Sequence, residues 1–285
     1  MASEPIIRAM TRNELDILVD WAAEEGWNPG LNDAQIFWDT DPDGFIAAER
    51  DGELIGGGSI VAYGERFGFM GFFIIRPDQR GQGLGRHLWH IRRDRLSERL
   101  REPVMIGMDG VFGMQDFYSR GGFVLSHRDL RFEGVGFSVK RDARLVDLAE
   151  VPFELLASYD AAHFPAPREE FLRAWIAQPG SRALGAMDGV GLQGYGVIRP
   201  CRQGFKIGPL FAADIQTAEV LFYGLVDHAP GAPIFLDVPE NNPQALALAA
   251  RHGLHEVFGC ARMYLGPFPT VPDAEVFGVT TFELG

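Results

Sequence analysis

Phe72-Phe73-Ile74-Ile75-Arg76-Pro77-Asp78-Gln79-Arg80-Gly81-Gln82-Gly83-Leu84-Gly85-Arg86 passes from an apolar strand through a turn into a helix. Gly81, Gly83 and Gly85 let the backbone come close to a ligand. The first N–H groups of the following helix favour a negatively charged group such as pyrophosphate, and Arg80 and Arg86 add positive charge. The helix is expected to run to about Arg101, with Leu84, Leu88, Ile91, Leu96 and Leu100 on one face and a solvated, Arg-rich face opposite. No Gly-Lys-Ser/Thr follows, so this is not a Walker loop, and the glycine spacing fails the dinucleotide fingerprint.

Outward from this stretch, 285 residues make about two domains of chain. Hydrophobic residues are 46% and charged residues 23%, as in folded globular chains, and no apolar run is long enough for a membrane span. The net charge of −13 repels phosphate backbones and anionic lipid and attracts cationic small molecules, which argues against nucleic acid and membrane as partners. The opening residues show no basic segment followed by an apolar run, and Cys201 and Cys260 are the only cysteines. A cytoplasmic protein with two small core thiols is expected.

The chain also repeats itself. Asp51-Gly52, Gly56-Gly57-Gly58, the strand Phe67 to Ile75, a helix, Val104 to Met108 and Arg120-Gly121-Gly122-Phe123 form one series. Asp188-Gly189, Gly194-Tyr195-Gly196, Phe205-Lys206-Ile207, a helix near Thr217 to His228, Ile234-Phe235-Leu236 and Arg251-His252-Gly253-Leu254 form another, with marks about 130 to 137 positions apart. A tandem duplication follows, each half a mixed α/β unit of twisted sheet and flanking helices. Thr11 and Glu14 announce the first helix as a capping box. Phe123 to Phe132 reads as a strand, Gly134 and Gly136 as a break, and the division is placed at 1–135 and 136–285.

Arg80-Gly81-Gln82-Gly83-Leu84-Gly85 resembles the phosphate loop of the GNAT superfamily of acyl-CoA-dependent N-acyltransferases, Arg/Gln-x-x-Gly-x-Gly/Ala. The resemblance implies tandem GNAT folds with acetyl-CoA as co-substrate; separately, the scattered histidines, without clustered carboxylates or cysteines, indicate no metal. The resemblance also implies a V-shaped split between two parallel strands that holds the pantetheine arm, with backbone groups near Ile75 pairing to it. The amides from Gly81 through Gln82, Gly83, Leu84 and Gly85 to Arg86 would then grip pyrophosphate. A second element, Gln115-Asp116-Phe117-Tyr118-Ser119-Arg120-Gly121-Gly122-Phe123, matches the family slot whose tyrosine sits near the thioester sulfur. A phenol with an ordinary pKa of ~10 can return a proton to a departing thiolate, so Tyr118 is assigned as general acid, against the plainer reading of a core tyrosine. Where the family often carries Asn near the start of this helix, this chain has Val111-Phe112-Gly113-Met114.

Attack on a thioester needs an uncharged nitrogen, and the sequence does not name the base. Glu65 lies near a slot where some relatives place a glutamate, but a solvated turn carboxylate is the plainer reading. Trp27 and Asn28, in Glu24-Glu25-Gly26-Trp27-Asn28-Pro29-Gly30, are weak acceptor-site candidates. The second half has no phosphate loop: Gly208-Pro209-Leu210-Phe211-Ala212-Ala213-Asp214 stands in its place, with Asp214 as a cap that repels pyrophosphate. Together with Arg199-Pro200-Cys201, Asp237-Val238-Pro239-Glu240-Asn241-Asn242 and Arg262-Met263-Tyr264, this resembles the degenerate C-terminal domain of YitH-like tandem acetyltransferases. Such a domain would cover the acceptor side, with Arg199, Asp237 and Asn241 as either substrate contacts or turn and surface residues. His87 and His90 share a helical face without the partners of a metal site.

The expected enzyme is an acetyl-CoA-dependent N-acetyltransferase acting on a primary amine of a small, cationic acceptor. Glu24, Glu25, Asp33, Asp39, Asp41 and Asp43 near the acceptor loop favour a cation. The alternative is a non-catalytic acyl-CoA-binding sensor; acylation of a protein amine would need an open groove.

Overall fold

The computed structural model describes residues 3–189 and 191–285. The first half contains β1 (Ile6–Ala9), α1 (Arg12–Glu24), α2 (Asp33–Thr40), β2 (Phe45–Arg50), β3 (Glu53–Ser59), β4 (Val61–Tyr63), β5 (Phe67–Met70) and β6 (Ile74–Ile75). It continues with α3 (Leu84–Glu98), β7 (Ile106–Val111), α4 (Gln115–Arg120) and β8 (Val124–Val135). The second half has β9 (Leu145–Asp147), α5 (Phe153–His163), α6 (Glu169–Ile176), β10 (Arg182–Met187), β11 (Leu192–Pro200), β12 (Phe205–Ala212), α7 (Ile215–Val226) and β13 (Pro233–Pro239). It ends with α8 (Pro243–Arg251), β14 (His255–Leu265) and β15 (Val276–Gly278). A strand, two helices, antiparallel strands, a helix, a strand, a helix and a strand recur in the same order, as the sequence repeat predicts.

Local chemistry sets several boundaries. Thr11 and Glu14 do form a reciprocal capping box, with the Thr11 amide donating to Glu14 at 2.8 Å. The α3 helix stops at Glu98, short of Arg101. The break expected at Gly134 is absent, and β8 continues to Val135. A side chain at Gly134 would collide with Leu254, so this glycine permits close packing within a strand instead of ending it.

The sheet joins the halves in a way the repeat alone does not predict. β1-β2-β3-β6 form one small sheet, whereas the large sheet runs β4-β5-β7-β14-β8-β13-β12-β11-β10-β9, with β15 beside β12. Thus β14, the last long strand of the second half, pairs with β7 of the first (Met263 opposite Met108). In exchange β8 pairs with β13 (Phe132 opposite Leu236). Each half completes its sheet with the other's final long strand. Aromatic packing ties the halves further: Phe37 on α2 stacks on Trp175 of α6 at 6.2 Å, and Tyr63 meets Phe164 edge-on at 4.9 Å.

Candidate active site

The site begins where two parallel strands part. β5 and β7 pair only from Gly68–Ile106 to Met70–Met108. Beyond that point residues 71–73 leave the sheet, β6 turns to pair with β3 at Gly56 and Gly57, and β7 continues to Val111. A cavity of about 390 Å³ opens in this V. Ile75, Arg80, Gly81, Gly85 and Arg86 line it, with Tyr118 and Trp27, so most of the residues singled out in the sequence meet in one place. Gly81 and Gly83 have φ of +76° and +85°, a left-handed backbone that favours glycine. Gly83 caps α3 without any side-chain cap, which leaves its first amides to a ligand or solvent.

Members of the loop have distinct tasks. Arg80 Nε donates to the Ile75 carbonyl at 2.7 Å, and its Nη2 pairs with Glu25, so Arg80 braces the strand end. Arg86 makes no hydrogen bond or ion pair to a described residue and is the loop's unengaged cation. Gln82 is exposed, Gly83 shapes the turn, and Leu84 is buried in the core, so none of these three lines the cavity. Leu84 can offer a ligand only its backbone.

Tyr118 projects from α4 into the same cavity, its ring against Gly110, where any side chain would block it. Burial pushes its phenol up to about 12 while Arg92 pulls it down. The phenol therefore keeps its proton across the physiological range. Arg92 is a residue that the sequence reading misplaced on a solvated face. It is fully buried, donates from Nη2 to the carbonyls of Ser59 (2.6 Å) and Gly71 (2.5 Å), and lies over the Phe73 ring. Those contacts hold the backbone where the strands part, and burial lowers its pKa to about 10. The missed signal was spacing: Leu88, Arg92 and Leu96 lie four apart on one helical face.

The opposite wall combines Trp27 of the first half with elements of the second. Trp27 lines the cavity, and its carbonyl accepts from Arg131 at 2.8 Å. Asn28 does not line it: with φ +51° its side chain bonds in both directions to the backbone of Gln203 (2.9 and 2.8 Å), clamping this loop to the second half. Arg199 is buried against Asp33, and Asp237 against Arg131 (2.6 Å), so both are engaged between the halves, not at the surface or on a substrate. Asn241 is exposed beside a different, smaller cavity. Glu65 pairs with Arg101 in a solvated turn. Of the six acidic residues expected around the acceptor, Asp33 and Asp41 are buried in internal pairs and Glu25 alone lines the cavity. Residues 258–283 add Phe258, Cys260, Phe282 and Glu283 to the wall, contributions that depend on the strand exchange. Cys201 and Cys260 are buried free thiols.

In the second half, β12 and β13 pair from Phe205–Ile234 to Ile207–Leu236 and then part in the same way. That split is filled: β15 pairs with β12 at Leu210 and Phe211, and the Val279 amide donates to the Asp237 carbonyl on β13 at 2.9 Å. The helix beyond it is capped by its own sequence, Asp214 accepting from the Thr217 amide at 2.7 Å. Among the described residues no group of three or more side chains is arranged to hold a metal, and no helix is long and apolar enough to cross a membrane.

Comparison with known proteins agrees with this geometry. Residues 12–123 match the model of the acetyltransferase (GNAT) family, and residues 156–278 match that of an acetyltransferase (GNAT) domain. The chain is 25% identical over 274 residues to holothin acyltransferase of Pseudoalteromonas sp., covering 95% of this chain and 92% of that protein. A mycothiol acetyltransferase of Streptomyces bingchenggensis is 36% identical over 94 residues, 32% of this chain and 30% of the relative. A crystal structure from Pyrococcus horikoshii shares the fold with a TM-score of 0.84 at 22% identity, covering 99% of this chain and 96% of that one. A tandem GNAT protein from the clavulanic acid biosynthesis pathway gives 0.63 at 13% identity, covering 94% and 100%. Matched in both halves, the chain belongs to the GNAT acetyltransferase family and carries two such domains in tandem.

Proposed function

We propose that this protein is an acetyl-CoA-dependent N-acetyltransferase that acetylates a small primary amine, with all of its coenzyme chemistry in residues 1–135. One observation carries the reading: the single V between β5 and β7 opens both on the uncapped start of α3 and on Tyr118. Pyrophosphate would lie on the amides from Gly81 to Arg86, with Arg86 as counter-charge, and the pantetheine arm along Ile75. The acyl thioester would then reach Tyr118. The amine attacks the thioester carbonyl, the C–S bond breaks, and Tyr118 gives the leaving thiolate its proton. Residues 136–285 act as the opposite wall.

A small acceptor fits a cavity walled on one side by residues of the second half and agrees with the small-molecule names of the relatives, holothin and mycothiol. Its cationic character rests on the −13 balance and on the carboxylates facing the cavity, a narrower basis than the acidic surface read from sequence. Thiol release from acetyl-CoA with a panel of amines tests the proposal. Basic amines should lead neutral and anionic ones in kcat/KM. Tight acetyl-CoA binding with no thiol release for any amine would instead favour an acyl-CoA sensor.

A further inference from the structure

Three carboxylates line the cavity, and two are engaged. Glu25 pairs with Arg80, and both oxygens of Asp109 accept from Arg262 at 2.6 Å. Glu283 differs: it is 2% exposed, yet its Oε2 has no hydrogen-bond partner among the described residues. Its backbone, by contrast, is fixed. The amides of Glu283 and Leu284 donate to Thr281 Oγ1 at 3.2 and 2.9 Å, and the Leu284 carbonyl accepts from the Tyr63 hydroxyl at 2.9 Å. The Glu283 carbonyl packs on Gly71, where no side chain could stand, at the point where the β5–β7 split opens. The segment that fills the second half's split thus continues into the first half's and presents a carboxylate there.

The surrounding charges do not neutralise it by contact. Of the three cations that act on Glu283 from the second half's side, Arg131 is closed on Asp237 and Arg199 on Asp33, which leaves Lys206 of β12 without a carboxylate partner among the described residues. Among the described residues the Lys206 ammonium reaches only the Trp27 carbonyl, at 3.5 Å, and forms no ion pair with Glu283. On the cavity side stand Arg92, Asp109 and Tyr118. Burial pushes the Glu283 carboxyl above its ordinary value, opposed by Lys206, Arg131 and Arg199 and reinforced by Asp33, which makes it a stronger proton acceptor than a surface glutamate.

Resting on the acyl-transfer reading above, we propose that Glu283 is the general base, taking the proton from the ammonium of an acceptor that binds as a cation. Glu283 accepts one proton from R–NH₃⁺, freeing the nitrogen lone pair. The nitrogen attacks the thioester carbonyl, and the C–S bond breaks as the amide forms. The amide nitrogen sheds a second proton, which replaces the one Tyr118 gives to the thiolate, and Glu283 returns its own to solvent. The balance is one amide, one thiol and one released proton per turnover.

The test compares wild type, Glu283→Gln and Glu283→Asp with acetyl-CoA and two acceptors: 1,4-diaminobutane, charged at neutral pH, and aniline, which is not. With the diamine, wild-type kcat/KM should rise as Glu283 ionises and fall as the amine loses its own proton near a lysine-like pKa of ~10.4. Glu283→Gln should lower kcat/KM for the diamine at neutral pH by about 100-fold or more, and change that for aniline by less than about threefold. Its diamine profile should rise by about tenfold per pH unit up to the amine's pKa, because only free amine then reacts. Glu283→Asp should restore the bell shape at reduced rate, which a purely structural role would not do, and it carries the test if Glu283→Gln no longer binds acetyl-CoA. Equal losses on both amines, or an unchanged acidic limb in Glu283→Gln, would overturn the assignment of Glu283 while leaving acyl transfer intact. A wild type that acetylates neither amine would overturn the acyl-transfer reading and the base with it.

Discussion

The two halves part their central strands in the same manner and put the opening to opposite uses. After Met70 and Met108 the first split stays open, with a cavity of about 390 Å³, left-handed Gly81 and Gly83, and a helix start without a side-chain cap. After Ile207 and Leu236 the second is occupied by residues 276–279, and Asp214 caps the helix that follows. The same backbone scaffold is therefore an open cavity or a filled wall depending on a few residues. Glycines remove side chains and permit the turn where an anion would sit, whereas an aspartate supplies both a cap and a repelling charge.

The largest expected effect lies at the open split. On the proposed role, Tyr118→Phe would remove the proton donor and keep the ring against Gly110, so kcat should fall by about 10² to 10⁴-fold with acetyl-CoA affinity unchanged. Steady-state kinetics beside calorimetry would separate the two. Because burial holds this phenol at about 12, kcat with an uncharged acceptor such as aniline should show no fall near pH 10. A descending limb there, absent from Tyr118→Phe, would mean that the tyrosine titrates as an ordinary exposed phenol.

Next comes the shared seam. Asp237→Ala leaves Arg131 buried without its carboxylate between the exchanged strands, and the loss should be about 3 to 5 kcal/mol in denaturant unfolding. If β8 and β14 bind the halves into one sheet, the first half should unfold with the second in a single transition. Separate transitions would show that the halves are stable apart.

The smallest effect belongs to the closed split. Asp214→Ala should cost about 1 kcal/mol through the lost cap and leave acetyl-CoA binding untouched, since residues 276–279 still fill the space. Appearance of a second coenzyme site in this variant would show that charge alone, and not the filled split, closes the second half.

Much of the open site is legible in the chain because it is local. Ile74 to Gly85 is one continuous run in which residue types dictate backbone shape, and Tyr118 follows at the slot where the family resemblance expects it. The repeat is legible too, since turn and strand marks recur at a domain's spacing. What escaped the reading depends on distant partners. Nothing near Val124 to Val135 says that the strand crosses to β13 while β14 takes the place beside β7. Asn28 looks like a pocket residue until Gln203 meets it, and Asp33 looks like surface charge until Arg199 covers it. Thr280-Thr281-Phe282-Glu283-Leu284 carries no motif, and its place in the first half's cavity comes from the path of the segment across the second half's split.

The central claim is that one split binds coenzyme and its twin cannot. Calorimetric titration of the intact protein with acetyl-CoA tests it most directly, run in parallel on Gly83→Glu, which sets a side chain with negative charge at a φ of +85°. The account predicts one site per chain in the wild type and loss of that site in Gly83→Glu. Two equivalent sites per chain, or a single site whose affinity survives Gly83→Glu, would contradict it.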